Sequence, residues 1–131
     1  MNAQTTSAAD REPTPESLIV ACLCAQWCVA CNQWQANFQA LAQRIPRARM
    51  LWVDVEDAHG ALGDYEVENF PTLVVQRGTW LLHGGPLPPQ IGVWMRLVEE
   101  FAGLSADKAA AVAAKLAQTQ PELPDLRAFV E

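Results

Sequence analysis

The apolar positions of this chain change period several times, and each change marks an element. Leu18 to Cys24 (LIVACLC) is a short unbroken apolar run, β-branched at Ile19 and Val20, as expected of a central strand buried on both faces. From Cys28 to Arg44 the period becomes helical: Cys31, Trp34, Phe38, Leu41 and Ile45 recur in steps of three and four and form one face. Pro46 ends that helix, because proline disfavours helical conformation in the residue before it and donates no backbone hydrogen bond. Met50 to Val55 reads as a second strand, and Asp57 to Tyr65 as a weak helix of one or two turns, with Asp57 as its N-cap.

Thr72 to Gln76 and Thr79 to His83 read as antiparallel strands linked through Arg77 and Gly78. Gly84 to Pro89 reads as a break. Ile91, Trp94, Met95, Val98 and Phe101 then return to helical spacing up to Gly103. Ser105 is placed to cap an alanine-rich helix to about Gln118, with a modest share in the core. Leu123, Leu126, Phe129 and Val130 equip the tail to dock, but not to fold alone, so docking and disorder both stay open. The expected class is α/β: a central mixed sheet of about four strands flanked by helices, with a C-terminal helical extension. The expected organisation is a flexible segment 1–17, a domain 18–103 and the extension 104–131.

Composition narrows the function. With 131 residues, half of them apolar, the chain suits one folded domain. A net charge of −6 and a pI near 4.8 argue against nucleic acid as a partner. The first seventeen residues lack the basic start and apolar core of a signal peptide, and no run is long enough to span a membrane, so a cytoplasmic, reducing setting is expected. There, four cysteines are better explained by catalysis or metal binding than by a structural disulfide framework.

The cysteines follow the pattern C-x-C-x3-C-x2-C from Cys22 to Cys31. Cys28 falls where the first strand hands over to the first helix. A thiol there faces unpaired backbone N–H groups and the positive end of the helix dipole, an environment that promotes nucleophilic sulfur. Cys31, one turn on, shares its face and can resolve a mixed disulfide. Cys22 and Cys24 have equal parity on the strand and read first as buried core thiols. A zinc or iron–sulfur site is a lesser alternative, since a strand-to-helix junction scatters the sulfurs; a regulatory Cys22–Cys31 disulfide is another. His59 and His83 have no paired ligand spacing and are expected on loops or the surface. Asp54, Glu56 and Asp57 suit capping better than metal binding. Trp34 and Trp94 belong to apolar helix faces.

Over Leu18 to Phe101 the sequence resembles the thioredoxin family. Ala25-Gln26-Trp27-Cys28-Val29-Ala30-Cys31 is similar to its active-site segment, Asn69-Phe70-Pro71-Thr72 to its cis-proline loop, and Gly84-Gly85 to the glycine pair after its last strand. The resemblance implies a thioredoxin-like fold, shortened at the N-terminus, in which the C-terminal addition covers the face left open. It also implies thiol–disulfide exchange without a cofactor or metal, with Cys28 as nucleophile and Cys31 as resolving thiol. Pro71 would be cis, and Trp27, Phe70 and Pro71 would form the surface for a disulfide-containing protein substrate. An external thiol reductant or reductase would reset the site, and a monomer is favoured. The departures matter as well. Val29-Ala30 replaces the usual Gly-Pro, Cys22 stands where the family carries a buried aspartate, and Trp52 stands where it carries a lysine. The usual proton relay is therefore missing, which keeps open a rival reading as a non-catalytic thioredoxin-like binding or chaperone module.

Overall fold

Strand β1, Leu18–Cys24, is buried at all seven positions in the computed structural model, which describes residues 18–130. An unbroken apolar strand is stable only between two covered faces, and β1 lies inside a four-stranded sheet of order β2-β1-β3-β4. β2 is Arg49–Asp54, β3 is Thr72–Arg77 and β4 is Trp80–Pro86. β1 pairs with β2 in parallel and with β3 antiparallel, and β3 pairs antiparallel with β4. The parallel pair is joined by helix α1, Val29–Arg44. This is the expected mixed sheet. The segment 1–17, expected to be flexible, lies outside the described residues.

Alternation along β1 divides the interior into two clusters. Leu18, Val20, Cys22 and Cys24 face α1 and α3 (Ile91–Ala102), packing with Cys31, Trp34, Phe38, Leu41, Trp94 and Val98. The Trp34 and Trp94 rings lie 5.0 Å apart, and Phe38 lies 6.0 Å from Trp94, so both tryptophans are core residues. Ile19, Ala21 and Leu23 face the other way, against Val53, Leu62, Val74, Leu123 and Leu126.

The second face is closed largely by the C-terminal region. Ser105 caps α4, Ala106–Thr119, by accepting from the Lys108 N–H, as its sequence position suggests; Ala109, its fully buried residue, joins the first cluster, and Leu116 meets the second. The chain then turns back over the sheet and ends in a 3₁₀ turn, Leu126–Phe129. Gln76 of β3 holds it: its Nε2 donates to Asp125 Oδ1 at 2.8 Å and to Gly78 O at 2.9 Å, while its Oε1 accepts from the Leu126 N–H at 2.6 Å. Asp125 in turn accepts from Arg127, which together with Gln76 holds its carboxyl well below the usual range. Gln120 Nε2 donates to Gly84 O at 2.7 Å. A Cβ at Gly84 would collide with the methyl groups of Leu123, so the absence of a side chain there lets Leu123 sit close against β4. The tail docks.

Several boundaries differ from the sequence reading. The hairpin link is Gly78-Thr79, with Arg77 paired to Trp80 inside the sheet, and Gly78 supplies the positive φ of 61° that such a short link favours. Gly84, Gly85 and Pro86 are not a break: they continue β4, opposite Val74, Leu73 and Thr72. His83 accordingly sits within β4, half-buried, with its ring 6.0 Å from that of Phe101. The weak helix shrinks to α2, His59–Leu62, and Asp57 does not cap it; Ala58 precedes the first turn, and Asp54 Oδ1 instead accepts from the Glu56 N–H at the end of β2. Arg77 is buried and donates to the carbonyls of Leu104 at 2.8 Å and Phe101 at 3.4 Å, placing a cation at the negative end of α3.

Candidate active site

The chain leaves β1 at Cys24, turns through Ala25-Gln26-Trp27, and enters α1 with Cys28 as the N-cap residue. The turn is tight because the Cys28 N–H donates to Ala25 O at 3.0 Å, and the Asn32 side chain donates to Gln26 O at 3.1 Å. Cys28 has extended backbone angles and no side chain caps the helix, so the first amides of α1 stand open around it. Its thiol is free and partly exposed.

Trp27 is 66 % exposed, an unusual position for so large an apolar group, and Val29 beside it is 67 % exposed. The Phe70 ring stands edge-on to Trp27, with centroids 5.4 Å apart. The Phe70–Pro71 bond is cis, as the resemblance implies. The loop is fixed by Thr72 Oγ1 donating to Asn69 O at 2.6 Å and by the Leu87 N–H donating to Pro71 O at 3.3 Å. Trp27, Cys28, Phe70 and Pro71, named from the sequence as site residues, are thus gathered at one end of the sheet. An aromatic pair next to an accessible thiol forms a surface on which an extended peptide can lie.

Behind this surface the sulfurs are arranged differently from the sequence reading. Cys31 is fully buried and is bonded to Cys24, with Cα atoms 5.8 Å apart. The pairing is neither Cys28–Cys31 nor the regulatory Cys22–Cys31 bond. Reading Cys24 as a simple core thiol is corrected: it is buried in the expected cluster, yet it carries half of a disulfide. Strand parity turns Cys22 and Cys24 toward α1, and Cys31 is the first buried residue of the stripe that α1 turns back. That parity was the available signal. Cys22 remains a free buried thiol, its Sγ 3.6 Å from Cys24 Sγ. Burial pushes it up to about 12, partly countered by the nearby Trp34 N–H, which has no acceptor at full hydrogen-bond geometry. Cys22 is therefore a neutral hydrogen-bonding group at the position where the family it resembles carries a buried aspartate. Among the described residues, no group of three or more His, Cys, Asp or Glu side chains is placed to hold a metal ion.

Comparisons with known proteins bear on the fold and the family. The germline-specific thioredoxin Deadhead of Drosophila melanogaster is 23% identical, with a TM-score of 0.57 over 74% of this chain and 88% of that one. Fasciola hepatica thioredoxin is also 23% identical, with a TM-score of 0.59 over 74% of this chain and 89% of that one. Mitochondrial thioredoxin 3 of Saccharomyces cerevisiae is 18% identical, with a TM-score of 0.58 over 74% and 88%. At these identities the likeness establishes the fold. No curated protein sequence matches the chain. The thioredoxin family profile matches residues 7–82, more than half of the chain and all of the Trp27–Cys31 and Phe70–Pro71 segments, so the chain belongs to the thioredoxin family.

Proposed function

We propose that this protein reduces disulfides in other proteins, with Cys28 as nucleophile and Cys31 as resolving thiol. The observation that carries this reading is the free, partly exposed Cys28 at the start of α1, flanked by the Trp27–Phe70 pair and the cis-Pro71 loop. Cys28 thiolate attacks a substrate disulfide and forms a mixed disulfide, releasing the first substrate sulfur as thiolate. Cys31 then attacks the Cys28 sulfur and releases the second, leaving an internal disulfide that holds the two oxidising equivalents. The first helical turn between them suits this exchange. Trp27, Phe70 and Pro71 shape the substrate surface. The partners are disulfide-containing proteins and an external thiol reductant, a cycle suited to the cytoplasm.

Dithiothreitol-driven insulin reduction tests the proposal. Wild type is expected to turn over, and Cys28→Ser to lose turnover entirely while melting at the wild-type temperature. An inactive wild type that still binds thiol-containing partners would replace this reading with that of a non-catalytic binding module.

A further inference from the structure

Cys31 has two neighbours that can bond to it, and it can hold only one at a time. Cys28 lies one helical turn before it, at the accessible end of α1. Cys24 lies at the end of β1 and is bonded to Cys31, with a Cα separation near the commonest value for disulfides. The two arrangements differ in exposure: Cys24 and Cys31 are both buried, whereas Cys28 is not.

We propose that Cys24 is a third catalytic cysteine, which takes the disulfide over from Cys28 after each round of substrate reduction. The inference rests on the proposed function, because Cys28 must first meet substrate and pass its bond to Cys31. Cys24 sulfur, as thiolate, then attacks Cys31 Sγ. The Cys24–Cys31 bond forms, the Cys28–Cys31 bond breaks, and Cys28 leaves with the electron pair. The proton released from Cys24 ends on Cys28 or in solvent. No electrons are gained or lost overall, so the step needs no further oxidant or reductant.

Two surrounding features fit this role. Cys22 Sγ lies 3.6 Å from Cys24 Sγ, so its thiol is placed as a hydrogen-bonding partner for the Cys24 sulfur. A cavity of about 370 Å3 reaches Cys24 from the β2 side, lined in part by Gln26, Asn32, Trp52, Asp54 and Asp57. Phe70 leads into β3, on the opposite flank of β1. The cavity thus gives Cys24 a polar approach separate from the Trp27–Phe70 surface, suited to carrying a proton or admitting a small thiol reductant. The consequence is an oxidised protein whose disulfide is buried while its nucleophile is again a free thiol.

Time-resolved differential alkylation of the full chain tests the transfer. Reduced protein is mixed with insulin and quenched in denaturant with excess N-ethylmaleimide. Disulfides are then reduced, labelled with iodoacetamide and located by tandem mass spectrometry. Early samples are expected to protect Cys28 and Cys31, late samples Cys24 and Cys31, with Cys28 becoming alkylated as Cys24 becomes protected. In Cys24→Ser and Cys24→Ala, Cys28 is expected to remain protected throughout. Insulin turnover accompanied by a Cys28–Cys31 bond that persists in wild type would overturn the transfer and leave the proposed function standing. A Cys24–Cys31 bond that forms equally fast in Cys28→Ser would overturn both. The wild-type time course decides the matter even if a Cys24 variant folds poorly.

Discussion

The two faces of the sheet use the same strand for different ends. On one face, even-numbered positions of β1 place Cys22 and Cys24 among Trp34, Trp94 and Cys31, and this cluster continues outward to Cys28 and Phe70. On the other, odd-numbered Ile19, Ala21 and Leu23 pack with apolar side chains, chiefly from β2, β3 and the tail, with Gln76 of β3 opposite Ile19 as the buried polar group that ties the tail down. The first face is covered by two long amphipathic helices, joined by Ala109, Val112 and Ala113 of α4, the second by a short helix and a docked C-terminal segment. Strand alternation therefore separates reactive sulfur from structural packing within one layer of backbone. The division has testable consequences: damage to the tail face should lower stability and leave the sulfur pairing unchanged.

Leu126→Ala is the strongest test. Leu126 is fully buried against the odd-numbered side of β1, and truncating such a leucine costs about 2–5 kcal/mol. Urea unfolding should show that loss, while the alkylation pattern of the four cysteines in the native state stays as in wild type. A shift in which sulfur protects Cys31 would mean that the two faces are coupled through β1. Gln76→Ala is expected to cost less, about 1–3 kcal/mol, by leaving the Leu126 N–H and Asp125 without their buried partner. Native-state hydrogen exchange should show the Leu126 amide opening faster, with the amides of α1 near Cys31 unaffected.

The two faces also differed in how plainly the chain announced them. β1, α1 and α3 follow from the period of apolar residues alone, because each has a full buried stripe: Trp34, Phe38 and Leu41 in α1, Trp94 and Val98 in α3. The tail was ambiguous because its attachment depends on Gln76, a polar residue about fifty positions earlier whose burial no local pattern reveals. The end of β4 was hidden by its composition. Gly84, Gly85 and Pro86 have poor strand propensity, yet pairing with β3 keeps them extended, and Leu123 packs into the space that a side chain at Gly84 would take. In the candidate site, Trp27, Cys28, Phe70 and Pro71 were visible as short motifs. The Cys24–Cys31 bond was not, since it joins a strand position to a helix position across a turn, and the C-x2-C spacing drew Cys31 toward Cys28 instead.

The smallest expected effect lies on the sulfur-bearing face and concerns its tolerance of acid. His83 is opposite Val75, which belongs to that cluster, and its ring meets Phe101 of α3 while its Nε2 is buried without a partner. Burial lowers its pKa below the ordinary 6.5, with a Gly85 backbone hydrogen bond offsetting part of the shift. As pH falls past 6.5, the unfolded chain takes up a proton that the folded chain resists, so stability falls until the folded value is passed and is level beyond it. His83→Leu keeps an apolar side chain beside Phe101 and removes the titration. Urea unfolding at about pH 7.5 and about pH 5 should therefore show a larger loss in wild type than in the variant. Equal losses would assign the acid sensitivity to other groups, whereas a loss confined to wild type identifies His83 as the point where acid weakens the packing of α3 over the cysteine cluster.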